Sequence, residues 1–252
     1  MKAWHNTIQD VAGSIVIVGN AHNVGYEELV EIKDSKGATR RGRVLEVDGD
    51  TAVIQLFTST EGLDTQNSQV SFLGETAKLG VSEEMLGRIF TGSGEIRDGG
   101  PQPLAQEYRD INGSAMNPSM RNFPHEYIQT GISAIDGLNF LIRGQKLPIF
   151  SGSGMSHSQL ATQIARQAQG ISVENGETIV PSEEDFVVVF AAMGVTHEEG
   201  QYFLQSFQET GAMERTAVFL NTAQEPIVER ITLPRMALTL AEYLAFEKNK
   251  HV

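Results

Sequence analysis

The chain has 252 residues, of which 40% are hydrophobic, enough to bury one large core or two ordinary ones. It contains no cysteine, which removes disulfides, thiolate metal sites and thiol nucleophiles and fits a reducing compartment. A formal net charge of −13 sets its field against nucleic-acid backbones and anionic lipid.

Residues 1–13 lack the apolar core of a signal peptide, and no apolar run approaches the roughly 18 residues of a spanning helix, so the chain reads as soluble and unexported. From Ser14 to about Leu73 come short β-rich runs, SIVIV, ELVEIKD, RRGRVLEV, TAVIQLF and QVSFL, broken by turn residues such as Ser35-Lys36-Gly37 and Asp48-Gly49-Asp50. These predict a small closed β-barrel, with a two-sheet sandwich as the alternative. Alternation through RGRVLEVDGDTAVIQLF predicts a hairpin with one buried face.

After Leu79 a Gly-rich connector, LGRIFTGSGEIRDGGP, leads into a polar stretch with Pro103, Asn112, Pro118 and Pro124, which exclude continuous helix. From about Ile128 helical and strand patterns alternate. LPIFSGSG predicts strand and turn, HSQLATQIARQAQ an amphipathic helix, FVVVFAAMG a buried strand, EEGQYFLQSFQETG a helix, AVFLN a strand, and PRMALTLAEYLAFEK a helix with Pro234 in its first turn. Such alternation implies a parallel sheet with helices on its faces. The acidic SVENGETIVPSEED reads as a solvated insertion. In the helix after the loop, Leu160, Ala161, Ile164, Ala165 and Ala168 form a stripe expected to pack in the core. Within this scheme residues 1–76 are the β-barrel, 77–127 the connector and domain entry, and 128–252 an α/β domain. No internal repeat or low-complexity tract is present.

The segment Ser151-Gly152-Ser153-Gly154-Met155-Ser156-His157-Ser158 stands where a phosphate loop belongs, between a predicted strand and a helix, where backbone N–H groups and the helix dipole favour an anion. Laid on the G-x-x-x-x-G-K-[ST] template, Ser151 and Ser156 replace the glycines, His157 replaces the lysine, and only Ser158 matches. An imidazole is shorter than a lysine and at most partly charged near neutral pH, so it cannot neutralise phosphate charge as the ammonium does. Ser156 adds a Cβ where backbone freedom is wanted. Gly152, Ser153, Gly154, Met155, Ser156, His157 and Ser158 therefore describe either a ligand-free turn or a degenerate, weak nucleotide contact, with no catalytic residue among them. The histidines at 5, 22, 125, 157, 197 and 251 are scattered without metal-ligand spacing, and no structural metal is expected.

The run YIQTGISAIDGLNFLIRGQKLPIFSGSG, with FVVVFAAMGVTHEE and ITLPRMALTLAEYLAFEK, resembles the B, or beta, subunit of V/A-type rotary ATPases. GYEELVEI, RRGRVLEV and LGVSEEMLGRIF extend the resemblance over nearly the whole chain. It implies a non-catalytic, regulatory subunit alternating with catalytic A subunits in a hetero-hexameric ring, contacting central-stalk and peripheral-stalk subunits, and coupling ATP synthesis or hydrolysis to proton or sodium transport. It implies a cytoplasmic position peripheral to the membrane, no direct membrane insertion, no nucleic acid, no required cofactor, and at most a weak ATP or ADP contact at the subunit interface. Catalytic relatives carry G-E-R after the strand that follows the loop helix, and that Glu activates water. Here Ala191-Ala192-Met193-Gly194-Val195-Thr196 puts Val195 at the Glu position. Glu198 and Glu199 follow, where acidic residues favour a helix start. His157 is read as a local polar group, and Arg143 and Lys146 as solvated strand-end cations.

The resemblance makes residues 128–252 an incomplete RecA-like P-loop α/β domain, with Val252 falling mid-domain. The family's Walker-B-type strand, the arginine lent to the neighbouring site and the C-terminal helical domain would all follow it, so the chain reads as a fragment with an uncovered sheet edge. The enzyme-class alternative, a self-sufficient RecA-like ATPase of the secretion or flagellar export type, conflicts with His157 and Val195. A single-strand nucleic-acid barrel conflicts with the acidity and with the few aromatics.

Overall fold

The computed structural model describes residues 3–113, 115–121, 123, 126–174, 177–179 and 185–252. The chain divides into two compact units, one of residues 1–79 and 226–232, the other of residues 80–225 and 233–252.

The first unit holds six antiparallel strands, β1 (Ile8–Ala12), β2 (Ile15–Val18), β3 (Glu28–Lys33), β4 (Thr39–Asp48), β5 (Thr51–Leu56) and β6 (Gln69–Thr76), in the order β1-β2-β5-β4-β3-β6. Just ahead of β1, His5 and Val70 of β6 exchange both backbone bonds, His5 N to the Val70 carbonyl at 2.8 Å and Val70 N to the His5 carbonyl at 2.9 Å. That exchange closes the sheet into a barrel. Along β5 the alternation puts Ala52, Ile54 and Leu56 inside, fully buried with Val16, Val18, Val30, Ile32, Val44 and Val70. The β4–β5 hairpin forms as the alternation predicts. It carries one irregularity at Leu45, between the pairs Val44–Ile54 and Glu46–Val53, where an extra residue sharpens the twist that closure needs. β1 went unpredicted because IQDVA buries only Ile8 and has no alternating face, so its strand state comes from pairing with β2.

In the second unit β8 (Ile89–Phe90), β14 (Val188–Val195) and β15 (Thr216–Thr222) form a parallel sheet in the order β14-β15-β8, with β15 central and buried at every residue. The segment read as a Gly-rich connector thus supplies a strand, and Phe90 stacks on Phe219 at 5.2 Å. Arg88 and Asp98 hold that strand in place. The Arg88 guanidinium donates twice to the Asp98 carboxylate, at 2.7 and 2.8 Å, and the same carboxylate accepts from Ile89 N and Gly100 N. Helix α2 (His157–Gln167) and helix α3 (His197–Glu209) accompany this sheet, and Phe203 and Phe207 of α3 meet Phe190 of β14 edge-on.

Two smaller sheets complete the unit. β7 (Lys78–Val81) pairs with β9 (Glu107–Asp110), and β10 (Tyr127–Gln129), β11 (Leu141–Ile142), β12 (Gln169–Glu174) and β13 (Glu177–Ile179) run antiparallel in the order β11-β10-β12-β13. Between β10 and β11 the short helix α1 (Ser133–Leu138) is tied to the preceding turn by Asp136, which accepts from Thr130 N, Thr130 Oγ1 and Gly131 N. Burial works against the Asp136 charge, but these donors hold its carboxyl below the usual range.

Five expectations need correction. LPIF forms no strand, and Ile149 and Phe150 are 44% and 92% exposed, because among the described residues no strand pairs with this segment. FVVVFAAMG forms a strand from Val188 onward, yet only Phe186, Val187 and Ala192 of the run are buried, since among the described residues β14 is paired in the sheet only on its β15 side. Part of the acidic insertion is the β12–β13 hairpin; residues 175–176 and 180–184 of it lie outside the described ones. The inward face of α2 carries Thr162, Ala165 and Ala168 instead of Ala161, which is exposed; Thr162 is accommodated because its hydroxyl donates to the Ser158 carbonyl at 2.7 Å. Finally, helix α4 (Ile227–Glu242) begins seven residues before Pro234, which sits in its interior; Pro226, not Pro234, stands at its start. A single π-turn, Tyr243–Glu247, follows it.

Candidate nucleotide site

Residues 151–156 form an open, exposed turn ahead of α2. Gly154 has φ of +81°, a left-handed conformation that favours glycine, and a Cβ there would meet open space. Ser156 caps α2 without a side-chain hydrogen bond, so the first N–H groups of the helix gain no acceptor from it. Of the seven predicted site residues, Gly152, Ser153, Gly154, Met155, Ser156 and His157 are exposed and Ser158 is half-buried.

The structure joins the last two to a residue that was read from sequence only as a helix start. Ser158 Oγ donates to Glu199 Oε1 at 3.1 Å, and His157 Nε2 lies 3.7 Å from the same oxygen. Glu199 is held by α3 itself. Thr196 caps that helix, its Oγ1 accepting from Glu199 N at 3.2 Å, while Glu199 Oε2 accepts from Thr196 N at 2.9 Å and from Thr196 Oγ1 at 3.0 Å. This reciprocal capping box was legible as T-x-x-E; its reach to the loop was not, because that depends on how α2 packs beside α3. Bonds from the Thr196 backbone and hydroxyl, then from Ser158, with the nearby His157, hold the Glu199 carboxyl below its ordinary range.

Val195, the last residue of β14, packs half-buried against the apolar cluster of Ala192, Phe203, Phe207 and Leu220. The strand and cap therefore place an aliphatic side chain where the G-E-R pattern would place a carboxylate. Chemically, the arrangement presents helix-terminal amides and a Ser158 hydroxyl to an anion, but with an ionised carboxylate already bonded to that hydroxyl. Arg143, read as a solvated cation, pairs with Glu126 at 2.6 Å, and Lys146 is exposed.

Residues 131–252, which include this loop, match the nucleotide-binding domain of the ATP synthase alpha/beta family, and residues 8–74 match its β-barrel domain. The chain belongs to the ATP synthase alpha/beta family. The β-barrel match covers nearly all of the closed antiparallel sheet, and the nucleotide-binding match covers α2, β14, α3, β15 and α4 but begins after β8, so the chain is a β-barrel domain followed by a nucleotide-binding domain. Membership implies assembly with other ATP synthase subunits in a hexameric ring. No helix among the described residues is long and apolar enough to cross a membrane.

Proposed function

We propose that the chain is a non-catalytic, regulatory B-type subunit of a V/A-type rotary ATPase or ATP synthase, alternating with catalytic A subunits and touching the central and peripheral stalks. The observation that carries this reading is Val195, an aliphatic side chain packed half-buried against the apolar cluster at the position from which a general base would reach water. Glu199 is a poor substitute. Its carboxyl is held low by the capping bonds, and a general base works best with a pKa near the operating pH. His157 at the lysine position and Ser156 at the second glycine position point the same way.

In this reading residues 152–158 make at most a weak contact with ATP or ADP at a subunit interface, no cofactor is required, and the domains are 1–76, 77–127 as the connector, and 128–252. The complex sits at the cytoplasmic face of the membrane, with this chain in the peripheral sector. The deciding experiment compares ATP turnover by the chain alone with turnover after mixing with a catalytic A subunit. No activity alone, together with co-purification and hydrolysis by the mixture, is expected. Robust turnover by the chain alone at millimolar ATP would reject the proposal in favour of a self-sufficient motor.

A further inference from the structure

At the far end of α2 from the loop lies a cavity of about 460 Å³. Its apolar wall includes Leu86, Val187 and Ala212, and two arginines, Arg166 and Arg215, line it. The exposed Glu214 is the one carboxylate among its described lining residues. Arg166 is eight residues beyond Ser158 on α2, about 12 Å along the helix axis, so this cavity is separate from the loop.

The state of the two arginines sets the cavity apart. Arg40, Arg43, Arg88, Arg97, Arg109 and Arg143 each pair with a carboxylate. Arg215 donates to the Arg166 carbonyl at 2.5 Å and lies 5.9 Å from the centre of the Phe186 ring, with no carboxylate partner among the described residues. The Arg166 side chain donates to nothing among the described residues, and its Nε is shut away from solvent without an acceptor. A guanidinium N–H buried without an acceptor has lost its hydration with nothing in exchange, so such a group calls for a partner. Two guanidiniums brought together in a chain of net charge −13 are matched by a group with two negative charges and several acceptor oxygens.

We propose that this cavity binds a phosphate group. Its volume exceeds that of a lone phosphate, so the group is either free inorganic phosphate or one carried on a nucleotide. Because the Arg166 side chain makes no hydrogen bond within the described residues, replacing it should leave the fold intact.

The test is calorimetric titration of the full chain with inorganic phosphate, and separately with ADP, at fixed ionic strength. It uses wild type, Arg166→Gln, Arg166→Lys and the loop variant His157→Ala. Saturable phosphate binding is expected in wild type and in His157→Ala alike, weakened about tenfold or more in Arg166→Gln and less in Arg166→Lys, which keeps the charge and loses the planar fork. Arg166-dependent binding of phosphate alone identifies the free ion; the same dependence for ADP in the His157→Ala background identifies a nucleotide phosphate. Absence of saturable binding in wild type, or equal binding by Arg166→Gln, overturns the proposal. Should Arg166→Gln fail to fold, Arg166→Lys decides, and wild-type affinity in that variant overturns it equally.

Discussion

Glu199 ties two helix starts together, capping α3 through Thr196 and reaching Ser158 of α2 with its other oxygen. Thr196→Ala removes the cap and is expected to cost about 1 kcal/mol, read as a lowered denaturant midpoint. A second residue contributes to the acid sensitivity of the fold. The paired Arg88 guanidinium holds the Asp98 carboxyl well below the usual carboxylate range. Its stabilising effect is therefore complete above the unfolded-state value of about 3.9 and is lost as pH falls toward the folded value. Asp98→Asn should be about 2 kcal/mol less stable at pH 7 and show a shallower loss of stability below pH ~4, measured by urea unfolding across pH. At this scale the substitutions in the loop and at Val195 were legible because templates place single residues. The Ser158–Glu199 bond, the Arg88–Asp98 fork and the Arg166–Arg215 pair were not, since each joins residues distant in sequence or set by packing.

Among the elements, barrel strands β2 to β6 were readable as short β-rich runs between turn residues, and in β2 and β5 period-two burial follows the alternation as well. Gly42 in the middle of β4 has a reason that alternation does not show. A Cβ there would lie 2.6 Å from the Gln55 carbonyl oxygen and 2.9 Å from Leu56 Cδ2, so the glycine permits close approach of β4 to β5. Gly42→Ala is expected to destabilise by about 2 kcal/mol, with a lowered urea midpoint and an unchanged m-value. Elements that depend on partners were harder to read. LPIF has the composition of a strand, but composition does not supply a neighbour to pair with. Pro234 suggested a helix start, although a proline can be held inside a helix when the surrounding turns are well packed; Val228, Leu233, Met236, Ala237 and Leu240 are all buried along α4.

For the molecule as a whole, charge excludes more than it specifies. At −13, the chain should not retard duplex DNA in a gel-shift experiment at about 0.15 M salt, where binding would need a basic surface to release counterions. The family and the order of its two domains were legible from long contiguous motifs. The proposal of which member of the family this is rests on two or three side chains in the loop and at the end of β14.

The seam between His5 and Val70 gives the first few residues an importance their composition hides. Residue 5 is a clasp. Proteolytic trimming or a bulky fusion that displaced it would unzip the cylinder into a six-stranded ribbon, exposing the outer rungs of β6 to strand exchange with another molecule. The backbone of one residue outside any strand thus keeps the barrel a self-contained object.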